Sequence, residues 1–178
     1  IFGVGDFSHS LLILAATTLL TPRFGVVKAA QVAGLLYVWR NVVQVVVSYP
    51  IGYLADRAGH VRVLVAGYVL GALTAVLTAL AFWLQVDSVP QLAGIFFIAG
   101  LYVAVQEALE STVTAEMVDA DKLALSYGAL GSVNGVAKFV SSATVGVVWT
   151  ALSPVVGFAL AAVLMAAGTW ALIWSDRR

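Results

Sequence analysis

Six long apolar runs, each near the length that crosses a lipid bilayer, constrain this chain more than any other feature of its sequence. The hydrocarbon core of a bilayer is about 30 Å thick, and an α-helix spans it with about 20 residues. Inside that core a helix satisfies its own backbone hydrogen bonds. The runs therefore predict an all-α membrane protein with six transmembrane helices, at residues 2–20, 29–54, 61–84, 91–115, 124–150 and 154–174.

The composition excludes a soluble domain. Of the 178 residues, 62% are hydrophobic and 10% are charged, whereas soluble domains carry roughly 45–50% apolar and about 25% charged residues. A formal net charge of zero gives no general case for nucleic-acid binding. Neither of the two histidines has a second histidine or a cysteine at metal-ligand spacing. We therefore expect the lipid bilayer as a partner, and no nucleic acid, metal or cofactor.

Basic residues in the short loops predict the orientation of the helices, because the cytoplasmic side carries more of them. Five lie on one side of the predicted bundle: Arg57, Arg62, Lys122, Arg177 and Arg178. Two lie on the other side: Arg23 and Lys28. Both ends of the segment are accordingly expected to be cytoplasmic.

Polar side chains are concentrated in the first, second, fourth and fifth predicted helices and are sparse in the third and sixth. The order polar, polar, apolar thus occurs twice and suggests a three-plus-three repeat, although chance placement would give the same order. Under the repeat, the four polar helices face a polar interior and the two apolar helices face lipid. Two glycine pairs, Gly67 with Gly71 and Gly131 with Gly135, predict close approach between helices.

Several charged and amide residues fall inside the predicted spans, where a charge costs about 2.5–3.5 kcal/mol on insertion scales. They are Asp6, Arg40, Asn41, Gln44, Glu107, Glu110, Asn134 and Lys138. Glu107 and Glu110 are three residues apart and are expected to share a helix face. Two interpretations stay open. Either these residues line a solute or proton pathway, with Arg40 and Lys138 contacting an anionic or polar solute and Glu107 or Glu110 carrying a proton, or they form ion pairs that hold the helices together.

Between the second and third predicted helices, the segment YPIGYLADRAGHVRVL interrupts the apolar sequence with charged residues and glycines. Gly52 would allow close backbone approach at a helix end, and Gly59 would allow a tight turn with positive φ. Asp56 suits a helix N-cap or a partner for a cation. Arg57 and Arg62 would hold the loop on the cytoplasmic side.

Within this segment, G-x-L-A-D-R-x-G-H-x-R-x-L, from Gly52 to Leu64, resembles the signature loop of the major facilitator superfamily, G-x-L-A-D-R-x-G-[RK]-[RK]-x-x-L. The departures are His60 and Val61, which stand where that loop carries basic residues. The resemblance implies a six-helix half built from a 3+3 inverted repeat. It also implies that Asp56 latches onto a partner half, with capping of the turn as the alternative. Arg57 or Arg62 would then meet an acidic residue near the end of the fourth helix, Glu116 or Glu110.

The fourth and fifth predicted helices resemble the tenth and eleventh helices of bacterial members of that family. A loop of the type D-x-x-x-R-G-x-A-x-G is common there, and this chain has DADKLALSYG. The resemblance implies the C-terminal half of a twelve-helix transporter in a bacterial inner membrane, whose partner is a missing N-terminal six-helix half. It implies secondary active transport of a small solute by alternating access, with proton-coupled efflux as one form.

Two other classes of membrane protein are alternatives to a transporter. A half-size membrane subunit that self-associates without transporting is the alternative that the sequence leaves open. An intramembrane protease would need a serine and a histidine deep in facing helices. Ser132 lies in the fifth predicted helix, but His9 lies near the start of the first helix and His60 lies in the loop. No enzymatic activity is therefore expected.

Overall fold

The computed structural model describes residues 6–118 and 122–175, and this part of the chain forms six α-helices. They are α1 His9–Phe24, α2 Val26–Ala58, α3 His60–Trp83, α4 Val89–Met117, α5 Leu123–Ala151 and α6 Pro154–Ser175. Their order follows the prediction and most ends move by a few residues, but α1 begins at His9 rather than at residue 2. The first residues of that predicted helix, part of the loop before α5, and Arg177 and Arg178 lie outside the described residues.

Four of these helices, α2, α3, α4 and α6, are long and apolar enough to cross a membrane. α1 has 16 residues, which at 1.5 Å per residue extend about 24 Å, less than the hydrocarbon core of a bilayer. α5 has the length, with 29 residues, but carries a stripe of polar side chains. Membrane-spanning helices are thus supported at four positions, and spans at α1 and α5 stay predictions, as does the three-plus-three repeat.

Two glycines with positive φ separate the first three helices. Gly25 has φ 75° between α1 and α2, and Gly59 has φ 97° between α2 and α3. A side chain disfavours this backbone conformation, so glycine is the residue that turns the chain there. α1 consequently continues past residue 20, its predicted end, and through Pro22, and stops one residue before Gly25. Pro154 begins α6 as predicted, because a helix does not use the N–H of its first residue.

Close packing joins α3 to its neighbours, α4 and α6, while α2 packs on α4 and α1 packs on α2. A Cβ atom added to Gly67 would lie 2.6 Å from the Cβ of Val105 on α4, and one added to Gly71 would lie 3.0 Å from the Tyr102 ring. The predicted close approach at this glycine pair is confirmed. It also places α3, which was expected to face lipid, between two other helices of the bundle.

α5 is attached differently, because its main helix neighbour is α6 and its buried residues are Ser141 and Val145. Within the part of the chain that the structure describes, Cβ atoms added to Gly131 and Gly135 would meet nothing within 4 Å, so the predicted close approach at that pair is not found there. One end of α5 joins an aromatic cluster, in which the Trp149 ring lies 5.3 Å from Phe82 and 5.7 Å from Phe158. Along the rest of α5, polar contacts attach the helix to α4 and to the segment before α1.

Candidate functional site

An ion pair between Asp6 and Lys138 lies inside the bundle. Asp6 lies three residues before the start of α1, and Lys138 lies near the middle of α5. The Nζ of Lys138 is 3.0 Å from Oδ2 of Asp6. The Asp6 side chain is 2% exposed, whereas that of Lys138 is 36% exposed. The pair therefore consists of a buried acid, which needs a compensating charge, and a cation that stays accessible.

Glu110, near the end of α4, accepts three hydrogen bonds. Tyr68 Oη and Gln106 Nε2 each donate to Oε1 over 2.9 Å, and Asn134 Nδ2 donates to Oε2 over 2.8 Å. Gln106 Nε2 also lies 3.3 Å from Oδ2 of Asp6, to which it donates. We call Asp6, Tyr68, Gln106, Glu110, Asn134 and Lys138 the inner polar cluster. It connects α3, α4, α5 and the segment before α1.

Two members of this cluster, Tyr68 and Gln106, were not among the predicted site residues. Tyr68 lies on α3, which corresponds to the apolar third predicted helix. The signal that could have found it is its hydroxyl, because a buried tyrosine usually finds a hydrogen-bond partner for that group. Gln106 lies four residues before Glu110, so a helix places the two side chains on one face.

The two glutamates of α4 do not act as a pair. Gln44 of α2 donates a short hydrogen bond to Glu107, whereas Glu110 contacts Tyr68 of α3 and Asn134 of α5. Residues three apart on an α-helix are offset by about 60° around its axis. In this bundle that offset directs the two side chains to different neighbouring helices, so the expectation of a shared face is corrected.

Arg40 on α2 is 3% exposed and is held by neutral partners. Its Nη1 donates to Oδ1 of Asn41 over 2.6 Å, and its Nη2 lies 3.1 Å from Nε2 of His9. A guanidinium has only donors, so His9 must accept at Nε2 and is neutral, with its hydrogen on Nδ1. Among the described residues Arg40 makes no salt bridge. Ion pairing as a way to hold the helices together thus applies to Lys138 and not to Arg40.

A cavity of about 410 Å³ opens beside the Asp6–Lys138 pair. Its lining consists of two aromatic rings, two serines, a histidine and the lysine: Phe7, Phe139, Ser8, Ser142, His9 and Lys138. The backbone N–H of Ser8 donates to Oγ of Ser142 over 2.8 Å, which ties the start of α1 to α5. Lys138 is the one permanently charged group in this lining, because Asp6 lies behind it.

A second polar cluster joins the ends of α2, α3 and α4. His60 Nε2 is 3.2 Å from Oδ1 of Asp56, and His60 Nδ1 is 2.6 Å from Oε1 of Glu116. We call these three residues the end cluster. Asp56 is not a helix N-cap, because Gly59 holds that position in α3 without a side-chain bond. Gly52 lies within α2 rather than at its end, and a Cβ there would meet nothing within 4 Å.

The arginines of the signature loop do not join the end cluster. The guanidinium of Arg57 lies 4.3 Å from the ring centroid of Tyr53, and Arg62 is exposed. The expected contact of either arginine with Glu116 or Glu110 is absent from the part of the chain that the structure describes. His60, which departs from the signature pattern, contacts Glu116 instead. Successive helix residues point about 100° apart, which turns Arg57 away from the side on which Asp56 meets His60.

Comparison with protein-family models matches residues 2–178 to the Major Facilitator Superfamily. Comparisons with curated proteins and with solved structures find no match. The matched range extends far beyond the signature loop, and it includes the inner polar cluster, the cavity and the end cluster.

Proposed function

The chain belongs to the major facilitator superfamily, a family of membrane transporters, and we propose that it forms one half of a secondary active transporter that works by alternating access. The observation that carries this proposal is the inner polar cluster, which holds two carboxylates and an ammonium inside a bundle of apolar helices. Charges inside a membrane are costly and mark the pathways of solutes and protons. The cavity beside Lys138 is the solute site of this proposal.

The three hydrogen bonds of Glu110 support proton coupling through this residue. All three neighbouring groups donate to the carboxylate, and hydrogen bonds to a charged acceptor are stronger than those to a neutral one. A proton on Glu110 would therefore weaken these contacts. Because Asn134 connects Glu110 to α5, and α5 has few buried residues of its own, loading of the proton favours movement of α5. Movement of this helix would couple proton binding to a change in the cavity.

The proposal also assigns a partner, a membrane and an orientation to this six-helix half. The partner is a further six-helix half, and the membrane is a bacterial inner membrane with the end cluster on its cytoplasmic side, as the loop charges predict. The side chain of Asp56 is 74% exposed although it contacts His60. It therefore keeps surface for a contact with the partner half, which supports a role as the latch. Proton-coupled export of the solute is the direction that we propose.

Accessibility from the two sides of the membrane tests alternating access without knowledge of the solute. The 178 residues contain no cysteine, so a single Ser142→Cys change introduces the only thiol of this segment, in the cavity lining. We propose labelling with a charged, membrane-impermeant thiol reagent in vesicles of both orientations. The intact protein is used, with cysteines elsewhere in the chain replaced. Val163→Cys on α6, 65% exposed, is the matched control on an apolar surface.

Alternating access predicts that Cys at position 142 reacts from both sides, and that Glu110→Gln changes the ratio of the two rates. The control thiol should react slowly from either side, because an apolar environment disfavours the thiolate. Reaction of the cavity thiol from one side alone, in both the parent and the Glu110→Gln background, would refute the proposed mechanism.

A further inference from the structure

We infer that the solute is an organic anion. Its anionic group replaces Asp6 as the ion-pair partner of Lys138, while Asp6 takes up one proton. This inference rests on the proposed function, because it names the solute class of the same site. It begins from the unequal exposure of the ion pair, 36% for Lys138 and 2% for Asp6. A ligand in the cavity meets the ammonium, whereas the carboxylate is not part of the cavity lining and borders a much smaller neighbouring space.

The cavity lining favours an anion with an apolar body. Phe7 and Phe139 supply aromatic surface, and no acidic residue belongs to the lining. His9 is neutral and uses Nε2 to accept from Arg40, so its remaining ring nitrogen can only donate. A cationic ligand would face the ammonium of Lys138 with like charge, which is repulsive. The volume of about 410 Å³ is within the range of pockets that hold small organic ligands.

The proton step follows from what surrounds Asp6. Lys138 from α5 and Gln106 from α4 contact Asp6, and Gln106 also contacts Glu110. Tyr102 of α4, Tyr68 of α3, Arg40 of α2 and His9 of α1 lie close enough to Asp6 to interact with it electrostatically. Arg40 is engaged with Asn41 and His9, so it does not replace the ammonium. A buried carboxylate that loses its cation beside a second carboxylate is strongly disfavoured. Asp6 therefore forms an O–H bond with a proton from water.

In this step the site binds one anion and takes up one proton. Before binding, the ammonium is paired with the Asp6 carboxylate. After binding, it is paired with the ligand carboxylate, and Asp6 is a neutral acid that still accepts from Gln106. No covalent bond changes except the new O–H bond on Asp6, and the net charge of the site is the same in both states.

Calorimetric titration of the intact, purified protein with benzoate tests the inference. Two buffers of different protonation enthalpy report the number of protons taken up on binding. We expect benzoate to bind with about one proton, and benzylammonium, of similar size and opposite charge, not to bind. Lys138→Gln should weaken benzoate binding roughly 10- to 100-fold, as expected for loss of a hydrogen bond to a charged group. Lys28→Gln, which removes the same charge at an exposed position on α2, should leave binding unchanged.

Variants of Asp6 separate loss of binding from loss of folding. Asp6→Asn removes the competing carboxylate, so benzoate should bind more tightly at neutral pH and without proton uptake. Lys138→Gln alone leaves a buried carboxylate unpaired and can destabilise the fold. The double variant Asp6→Asn/Lys138→Gln has a neutral pair in its place and should keep its helical circular dichroism and its elution volume, yet bind benzoate roughly 10- to 100-fold more weakly than Asp6→Asn alone.

Three outcomes would overturn the inference: binding of benzylammonium in place of benzoate, equal benzoate affinity in the double variant and in Asp6→Asn, or proton uptake that persists in Asp6→Asn. Nanodiscs separate a soluble anion from a lipid headgroup. Benzoate affinity that is equal in phosphatidylcholine with and without phosphatidylglycerol supports a solute, and competition by the anionic lipid overturns it. If the cavity thiol reacts from both membrane sides while benzoate fails to bind, transport stands and the anion assignment falls.

Discussion

Replacement of Gly67 by alanine tests the contact between α3 and α4 at a defined atom. The added Cβ would lie 2.6 Å from Cβ and 3.3 Å from Cγ2 of Val105, where distances below 3.0 Å force a neighbour to move. Val105 is 4% exposed and belongs to the buried cluster between these helices, so it has no free space into which to turn. Overpacking of this kind costs about 1–3 kcal/mol, and we take the upper end because three carbons of Val105 are in contact.

The same change carries a gain that must be subtracted, because alanine favours a helix over glycine by about 0.8–1.0 kcal/mol. Gly67→Ala should therefore lower the free energy of unfolding by a net amount of about 2 kcal/mol. Gly131→Ala on α5 is the matched control, because a Cβ there meets nothing within 4 Å. The control should be neutral or stabilising by up to about 1 kcal/mol. The same glycine-to-alanine change is thus expected to lower the free energy of unfolding at position 67 and not to lower it at position 131.

Unfolding of the intact protein by sodium dodecyl sulfate in mixed micelles, followed by circular dichroism, measures both variants. The double variant Gly67→Ala/Val105→Gly removes every side-chain atom of the clash, including the Cβ at position 105, and a double-mutant cycle should give a coupling of at least about 1 kcal/mol. The reasoning fails if Gly67→Ala is as stable as Gly131→Ala. It also fails if the effects at positions 67 and 105 add without coupling.

Two further predictions concern the polar clusters. Glu110→Gln replaces an acceptor with an amide N–H₂ and should leave Asn134 without its acceptor, at a cost of about 1–3 kcal/mol. Hydrogen exchange should then accelerate along α5. Glu107→Gln, at an exposed position of the same helix, should leave hydrogen exchange in α5 unchanged. His60→Ala removes the group that contacts Glu116 and should speed hydrogen exchange in the last turn of α4. His60→Lys keeps a cation there and should restore slow exchange; equal rates in the alanine and lysine variants would show that the ionic contact has no role.

The sequence by itself determined the class of the protein and the order of its helices. Runs of apolar residues and the breaks between them are local features, and a helix satisfies its backbone within its own segment. The turn at Gly59 was predictable for the same reason, because positive φ is a property of a single residue. The signature loop was likewise read from adjacent residues, and the family match over residues 2–178 agrees with it.

The tertiary structure alone decided which polar side chains meet. Spacing along a helix indicated that Glu107 and Glu110 lie near one another, but the rotation of α4 against its neighbours directs them to α2 and to α3 and α5. Spacing also did not reveal that His60, and not an arginine, contacts Glu116. The same limit applies to Lys138, whose partner Asp6 lies at the far end of the chain. Partner choice depends on the rotation and position of whole helices, which packing sets through contacts between residues distant in sequence.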